Sequence, residues 1–421
     1  RADLAPSVGE PGAWPEQISA PTGAGKTSVL DIAVWVLARD VAHHGPSGRT
    51  VPLRTFLTVE RRLVVDGAYE HATALSGAIE TEPELAAVRD ALRKLLPEDW
   101  DGPALGVTSL HGGVREDRTW LRPVGAQIVT CTVTQLASRT LFRGVGVSPG
   151  MLPVHAGLTG VDRLIVVDEP HLVPASVHMW RACEAIQSAA PEGPIIGQTV
   201  VLGATIPDYL SAEAPFVGSL ENDSSEAARA RTGVTRPARL VDASDSDEKV
   251  EKLVASACKE WAERDHTGGD GVLVVVNTVA TAQEVADELN KYLEADASLC
   301  LNMLTSTVRQ FDRAEAEFGP DSLTVATQTV EVGVDLDACA LITELAPMPS
   351  LVQRFGRLNR TGHRKGSTAT IVVQADGERI TDVPSTVVYG VDQLAATLDL
   401  LHENLVDGVV DDLAGLRVPD E

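Results

Sequence analysis

One octapeptide, Ala20-Pro21-Thr22-Gly23-Ala24-Gly25-Lys26-Thr27, limits what this chain can fold into more than any other stretch. It follows a short apolar run and opens an amphipathic one, so it reads as the turn between a strand and a helix. Glycines there let backbone N–H groups curl around a phosphate, and the helix N-terminus adds a favourable dipole. Such a loop needs a sheet behind it and a crossover helix beside it, which begins a parallel α/β domain. In that setting Thr22, Gly23, Ala24 and Gly25 cradle the phosphates of ATP, Lys26 reaches the β- and γ-phosphates, and Thr27 ligates Mg2+. The motif alone says only that a nucleotide binds.

The alternation that the loop demands is present. Strands are expected at 17–20, 53–59, 105–110, 127–130, 163–167 and 198–203. Helices are expected at 27–39, 62–76, 83–95, 133–141 and 175–188. After a polar, small-residue stretch the pattern resumes, with strands at 239–241, 272–276, 323–326, 340–343 and 369–373 and helices at 247–264 and 281–293. The expected fold is α/β: two tandem RecA-like domains, each a mainly parallel sheet flanked by helices, with a short acidic C-terminal extension. The expected boundaries are 1–216, a linker at 217–235, a second domain at 236–375 and the extension at 376–421, which holds one amphipathic helix at 391–405. A length of 421 residues suits this division.

The remaining motifs fall into place on that frame. Leu164-Ile165-Val166-Val167-Asp168-Glu169-Pro170-His171 delivers two carboxylates at the C-terminal end of a strand, where ligands sit in open α/β sheets. A lone Asp-Glu after a strand is more often a helix cap. Behind a phosphate loop it reads as the acidic half of an ATPase, with Asp168 holding Mg2+ and Glu169 polarising the attacking water as general base. His171 is expected near a domain interface, reporting nucleotide state. Val201-Leu202-Gly203-Ala204-Thr205 is similar to the Ser-Ala-Thr element that couples hydrolysis to strand movement in superfamily 2 helicases, so Thr205 is a coupling candidate, with Gly203 in place of the Ser. In the segment 325–335, Thr327 and Gln328 are expected to face nucleic-acid phosphate and Asp335 the nucleotide. Gln353-Arg354-Phe355-Gly356-Arg357-Leu358-Asn359-Arg360 puts arginines three apart on a helix-like segment. Arg357 and Arg360 read as guanidinium groups that stabilise charge on the transferring phosphoryl, with Gln353 bonding the γ-phosphate or carrying the signal. Lys26, Asp168, Glu169, Gln353, Arg357 and Arg360 are thus the catalytic candidates, divided between the two domains.

Composition excludes other classes. No run approaches the length of a membrane-spanning helix, and the N-terminus lacks a signal pattern. The five cysteines form no Cys-x-x-Cys pair, which argues against a zinc site or disulfide framework and for a cytoplasmic setting. A net charge of −25 argues against non-specific wrapping of duplex, while leaving room for a locally basic groove. The chain begins Arg1-Ala2-Asp3-Leu4 without an initiator Met, a start compatible with a fragment.

Beyond the ATPase motifs, several stretches resemble one family. Thr58-Val59-Glu60-Arg61-Arg62-Leu63-Val64-Val65-Asp66 is similar to a Val-Asp-Arg-Arg-x-x-Val-Asp element, with Glu60 where Asp is usual. Thr130-Cys131-Thr132-Val133-Thr134-Gln135-Leu136 resembles a Gly-Thr-x-Asp-Gln stretch, with Thr134 replacing the Asp. The run from Leu141 to Ser148, then His155-Ala156-Gly157-Leu158, resembles a subtype segment upstream of the acidic motif, where Pro170 replaces the usual Ala. Together these resemble the CRISPR-associated helicase–nucleases of type I systems, subtype G (formerly U). The resemblance implies translocation on single-stranded DNA in the 3′-to-5′ direction and recruitment to an RNA-guided surveillance complex. It implies DNA-backbone contacts from Arg61, Arg62, Thr132, Gln135 and Thr327. The family's nuclease needs a His-Asp metal site, and no His-Asp dipeptide occurs here. Either the chain is a trimmed piece or the nuclease lies elsewhere. A superfamily 2 ATPase acting on RNA or in repair, and a degenerate motor kept as a docking module, are the alternative readings.

Overall fold

The computed structural model describes residues 14–20, 25–60, 62–111, 118–189, 197–203, 206–212, 215–217, 230, 234–263, 271–293, 299–305, 318–331, 336–364, 366–377 and 379–410. The chain divides into two compact units, Arg1–Ser219 and Leu220–Glu421. Each is a mainly parallel sheet with helices on both faces, the α/β architecture expected from the alternating pattern.

In the first unit seven strands run in the order β3-β4-β2-β5-β6-β1-β7. They are β1 (Gln17–Ser19), β2 (Arg54–Val59), β3 (Leu105–Leu110), β4 (Ala126–Thr132), β5 (Arg163–Asp168), β6 (Gln198–Gly203) and β7 (Phe216–Val217). All their pairings are parallel. The helices are α1 (Val29–Gly48, kinked at Gly45), α2 (Arg62–Thr81), α3 (Ala86–Arg93), α4 (Val133–Thr140), α5 (Leu152–Gly160) and α6 (Pro174–Ser188). Central strands are apolar at consecutive positions because both faces are covered. Successive side chains alternate between two cores. Leu57, Ile128, Leu164, Val166 and Val200 pack with Leu30 and Leu37 of α1, Ile79 of α2 and Leu92 of α3. Phe56, Val129, Ile165, Val167 and Val201 pack on the other side with Leu136 of α4 and Val177 and Trp180 of α6.

The second unit repeats the plan, in the order β10-β11-β9-β12-β13-β8-β15, with β14 paired to β13. Its strands are β8 (Ala238–Ala243), β9 (Val272–Val275), β10 (Cys300–Leu304), β11 (Ser322–Ala326), β12 (Ala340–Glu344), β13 (Thr368–Asp376), β14 (Arg379–Ile380) and β15 (Val409–Val410). Its helices are α7 (Ser246–Glu263), α8 (Val279–Leu293), α9 (Met348–Phe355), α10 (Val383–Tyr389) and α11 (Val391–Glu403). Leu253, Ala257 and Trp261 of α7 and Val285 and Leu289 of α8 cover one face. Leu351 and Phe355 of α9 and Leu394, Leu398 and Leu401 of α11 cover the other.

Two features depart from the sequence expectations. The chain beyond Asp376 is integral to the second unit rather than an extension: α11 lends three leucines to its core, and β15 pairs antiparallel with β8, Val410 against Ala238. A two-residue strand is too short to carry a period, which is why the pattern missed it. The arginine segment is not one helix, because α9 ends at Phe355 and Arg357 and Arg360 lie in the turns that follow. Among the described residues two histidines are buried. His111, at the end of β3, is buried with its Nε2 2.9 Å from Asp66 Oδ1, and His155 is buried edge-on to Trp120. No described helix is long and apolar enough to cross a membrane. All five cysteines are free thiols.

Candidate functional site

In the first unit the strand order places β6 between β1 and β5, so the phosphate loop and the acid pair leave the same edge of the sheet two strands apart. Gly25 has φ +75°, a left-handed backbone that costs glycine little and other residues more. It starts a 3-10 turn over Lys26–Ser28 that runs into α1, and both the Ser28 N–H and hydroxyl donate to Gly25 O, at 3.0 and 2.7 Å. Asp168 is the last residue of β5. Glu169 then takes a left-handed conformation, φ 51° and ψ 60°, before Pro170 opens a short 3-10 turn. A non-glycine residue held there stores strain on the order of 1–3 kcal/mol. It is pinned by its own N–H donating to Leu202 O at 3.0 Å and by its carbonyl accepting from Leu172 N–H at 3.1 Å. That twist turns the Glu169 side chain towards the phosphate loop.

The result is a compact charged cluster. Lys26 Nζ lies 2.7 Å from Glu169 Oε1 and 3.7 Å from Asp168 Oδ1. His171 Nδ1 stands 3.6 Å from Glu169 Oε2. Burial pulls the Lys26 ammonium down, but the two carboxylates outweigh it and hold its pKa above the usual lysine value. Asp168 moves the other way. Burial lifts its pKa to about 6, against the pull of Lys26 and with a further push from Glu169. Asp168 Oδ1 is buried and accepts no hydrogen bond. A buried carboxylate oxygen left unsatisfied costs free energy unless a cation or donor completes it. That oxygen, one residue type suited to a hard cation, fits Mg2+ better than a structural role. Among the described residues no group of three or more His, Cys, Asp or Glu side chains could hold a metal by itself.

The raised pKa makes a stability prediction. A carboxyl whose pKa is raised on folding to about 6 destabilises the folded protein at neutral pH. Below pH 4 both states carry the proton and there is no cost. The cost grows as pH rises towards 6, where the unfolded chain has ionised and the folded one has not, and it is constant above. Asp168→Asn is therefore expected to raise the melting temperature by several degrees at pH 7.5 in metal-free buffer, with the gain shrinking as pH falls towards 4. A melting temperature unchanged or lowered at pH 7.5 contradicts the strained-carboxylate description.

Other expected site residues divide. Thr22, Gly23, Ala24, Arg61, Thr205 and Asp335 lie outside the described residues. Arg62 opens α2. Thr132 ends β4 and precedes α4, 9% exposed, and the Gln135 side-chain oxygen accepts from the Arg139 guanidinium. Thr327 is 3% exposed at the end of β11, with its N–H donating to Leu304 O at 3.0 Å. The Gln328 side-chain amide donates to Asn277 O at 2.9 Å. Gln353 is partly exposed on α9. Arg357 is buried with Nη2 donating to Glu331 O at 2.7 Å, while Arg360 is partly exposed with its backbone N–H on Asp337 Oδ1 at 2.5 Å. Arg236 holds the same turn from below, donating to Leu358 O at 2.6 Å and Asn359 O at 3.1 Å.

Sequence reasoning missed Arg354. It is fully buried and is the centre of a polar network. Its guanidinium donates to Glu331 Oε1 at 3.0 Å, Thr343 Oγ1 at 2.7 Å, Asn277 Oδ1 at 2.9 Å and Tyr389 Oη at 3.0 Å. Beside it, buried Lys249 Nζ bridges Glu344 and Asp382, each at 2.8 Å. Burial raises the Glu344 pKa and Lys249 opposes it. The available signal was an Arg three residues after Leu351 and beside Phe355, on the face of α9 that is buried.

A phosphate-loop lysine, a strand-end acid pair and two RecA-like units in tandem define the helicase-type ATPase fold. Residues 268–363 match the family described as CRISPR-associated nuclease/helicase Cas3, C-terminal. The CRISPR-associated helicase Cas3 of Thermoproteus tenax is 26% identical over 327 residues, 73% of this chain and 49% of that protein. The crystal structure of T. fusca Cas3 with AMPPNP shares the fold at a TM-score of 0.62 and 19% identity, covering 93% of this chain and 47% of that one. A chain of a CRISPR RNA-guided surveillance complex in a pre-nicking state matches at 0.52 and 18% identity, over 92% of this chain and 46% of that one. The chain is thus similar to CRISPR-associated Cas3 helicases, and it spans about half the length of these relatives.

Proposed function

We propose that this chain is the ATP-hydrolysing motor core of a type I CRISPR-associated helicase, of the subtype G branch, acting on single-stranded DNA in the cytoplasm. The observation that carries the reading is the cluster of Lys26, Asp168 and Glu169 on one sheet edge. A lysine that has two carboxylates within 4 Å is poised to exchange them for phosphate oxygens. Lys26 then orients the β- and γ-phosphates, and Glu169, released from the ion pair, accepts hydrogen bonds from the attacking water. Thr27 and Asp168 are the residues that would hold Mg2+, which would offset the negative charge of the phosphates. His171, against Glu169, is placed to feel the release of that carboxylate. Arg357 and Arg360 of the second unit are proposed to stabilise the charge on the transferring phosphoryl, with Gln353 beside them.

The same reading takes an RNA-guided surveillance complex as the partner that delivers the DNA, and places nuclease activity outside this chain. Support comes from the relatives' names and from the fold shared with a chain of such a complex. Thr132, Gln135, Thr327 and the Arg61-Arg62 pair are the proposed DNA-backbone contacts.

The test is phosphate release at saturating ATP with matched single-stranded DNA and RNA of one sequence. DNA is expected to stimulate turnover at least about tenfold more than RNA, as a site with specific backbone contacts requires. Stronger stimulation by RNA would transfer the assignment to an RNA-directed ATPase. Background rates with both polymers would support a docking module.

A further inference from the structure

The buried network around Arg354 joins two segments of the second unit that the motor reading uses for different purposes. The 3-10 turn Gln328–Val330 follows Thr327, the proposed nucleic-acid contact. The turns after α9 carry Arg357, the proposed phosphoryl contact. Glu331 belongs to both. Its carboxylate takes the Arg354 guanidinium at 3.0 Å, and its carbonyl takes Arg357 Nη2 at 2.7 Å. A ring of bonds closes behind it. Gln328 donates to Asn277 O at 2.9 Å, Asn277 Oδ1 accepts from Arg354 Nη2 at 2.9 Å, and Arg354 returns to Glu331. The α10 helix braces the ring, since Tyr389 Oη also accepts from Arg354, and Ser385 Oγ accepts from Asn277 Nδ2 at 2.8 Å. Arg354, Glu331, Asn277 and Ser385 are each no more than 3% exposed.

We propose that Glu331 is a positioning residue that couples nucleic-acid engagement at Thr327 to the placement of Arg357, and so sets how strongly a bound strand stimulates ATP hydrolysis. The inference rests on the motor reading above and deepens it. Charged hydrogen bonds in a dry interior are strong and resist separate adjustment of their members. A displacement of the 327–331 backbone by a bound strand must therefore carry Arg357 with it through the Glu331 carbonyl. Arg354 and the carboxylate of Glu331 stop the turn from yielding instead. Neither Glu331 nor Arg354 touches the nucleotide on this account.

The experiment measures kcat and KM for ATP with and without saturating single-stranded DNA, on wild type and Glu331→Gln, with melting temperature recorded alongside. The neutral amide keeps an acceptor for Arg354 but removes the counter-charge. The ratio of stimulated to basal kcat is expected to fall at least about fivefold, while KM for ATP without DNA stays within about twofold. A merely structural role predicts basal and stimulated kcat falling together, and that unchanged ratio overturns the proposal. Should Glu331→Gln fail to fold, Tyr389→Phe removes one acceptor of Arg354 at the edge of the ring. A reduced stimulation ratio in that variant supports the coupling, and a wild-type ratio overturns it. Wild type that DNA does not stimulate at all removes the motor reading first, and the coupling with it.

Discussion

Glu169→Gln is expected to lower ATP turnover about 10²–10⁴-fold, the range for loss of a general base, while ATP binding holds or tightens. The opposite signs come from one contact. Lys26 Nζ sits 2.7 Å from Glu169 Oε1, so a phosphate that claims the ammonium must displace the carboxylate. The amide still fits the left-handed turn at 169 and still accepts a hydrogen bond, but it holds Lys26 without a charge. The lysine is then freer to meet phosphate, and the water has no base. Equilibrium titration with a fluorescent ATP analogue, beside steady-state phosphate release, separates the two effects. Weakened binding together with lost turnover would mean that Glu169 mainly holds the loop in place.

The second large effect is expected at Arg357 and Arg360. Loss of a guanidinium that stabilises a transferring phosphoryl group costs about 10³–10⁵ in kcat. Arg357→Ala and Arg360→Ala are expected to approach that loss with little change in ATP affinity, since the proposal assigns binding to Lys26 and the phosphate loop. The two should differ in one respect. Arg357 also donates to Glu331 O inside the unit, so its removal is expected to cost about 1 kcal/mol of stability. Arg360 is partly exposed, so its removal is expected to leave melting unchanged. Single-turnover hydrolysis with a melting control distinguishes them. Near wild-type kcat in both variants would remove these arginines from the chemistry.

Legibility in the sequence followed the length of the signal. Apolar runs such as Val272–Val275, preceded by a Gly-rich turn, and residues 164–167, followed by an acid pair, were readable because buried parallel strands leave no polar alternation to confuse them. The edge strand Cys300–Leu304 was not, because its Asn302 is buried while Met303 is exposed, the reverse of their polarity. At the site, Lys26, Asp168 and Glu169 were named from spacing and meet within 4 Å. The left-handed backbone at Glu169 was invisible, since nothing in Glu-Pro-His announces a positive φ. In the arginine segment, spacing by three suggested one shared face. Gly356 instead ends the helix, which sends Arg354 into the interior and Arg357 into the turn. A spacing rule holds only within one regular element, so it could not separate the structural arginine from the proposed functional ones.

One measurement bears most directly on the central claim, that the lysine and acid pair on the edge of the first sheet form an ATP-hydrolysing site. It is the rate of phosphate release with Mg2+, saturating ATP and single-stranded DNA, for wild type beside Glu169→Gln. The account predicts a DNA-stimulated wild-type rate at least about 100-fold above the variant. Equal rates in the two proteins, at any level, would contradict it.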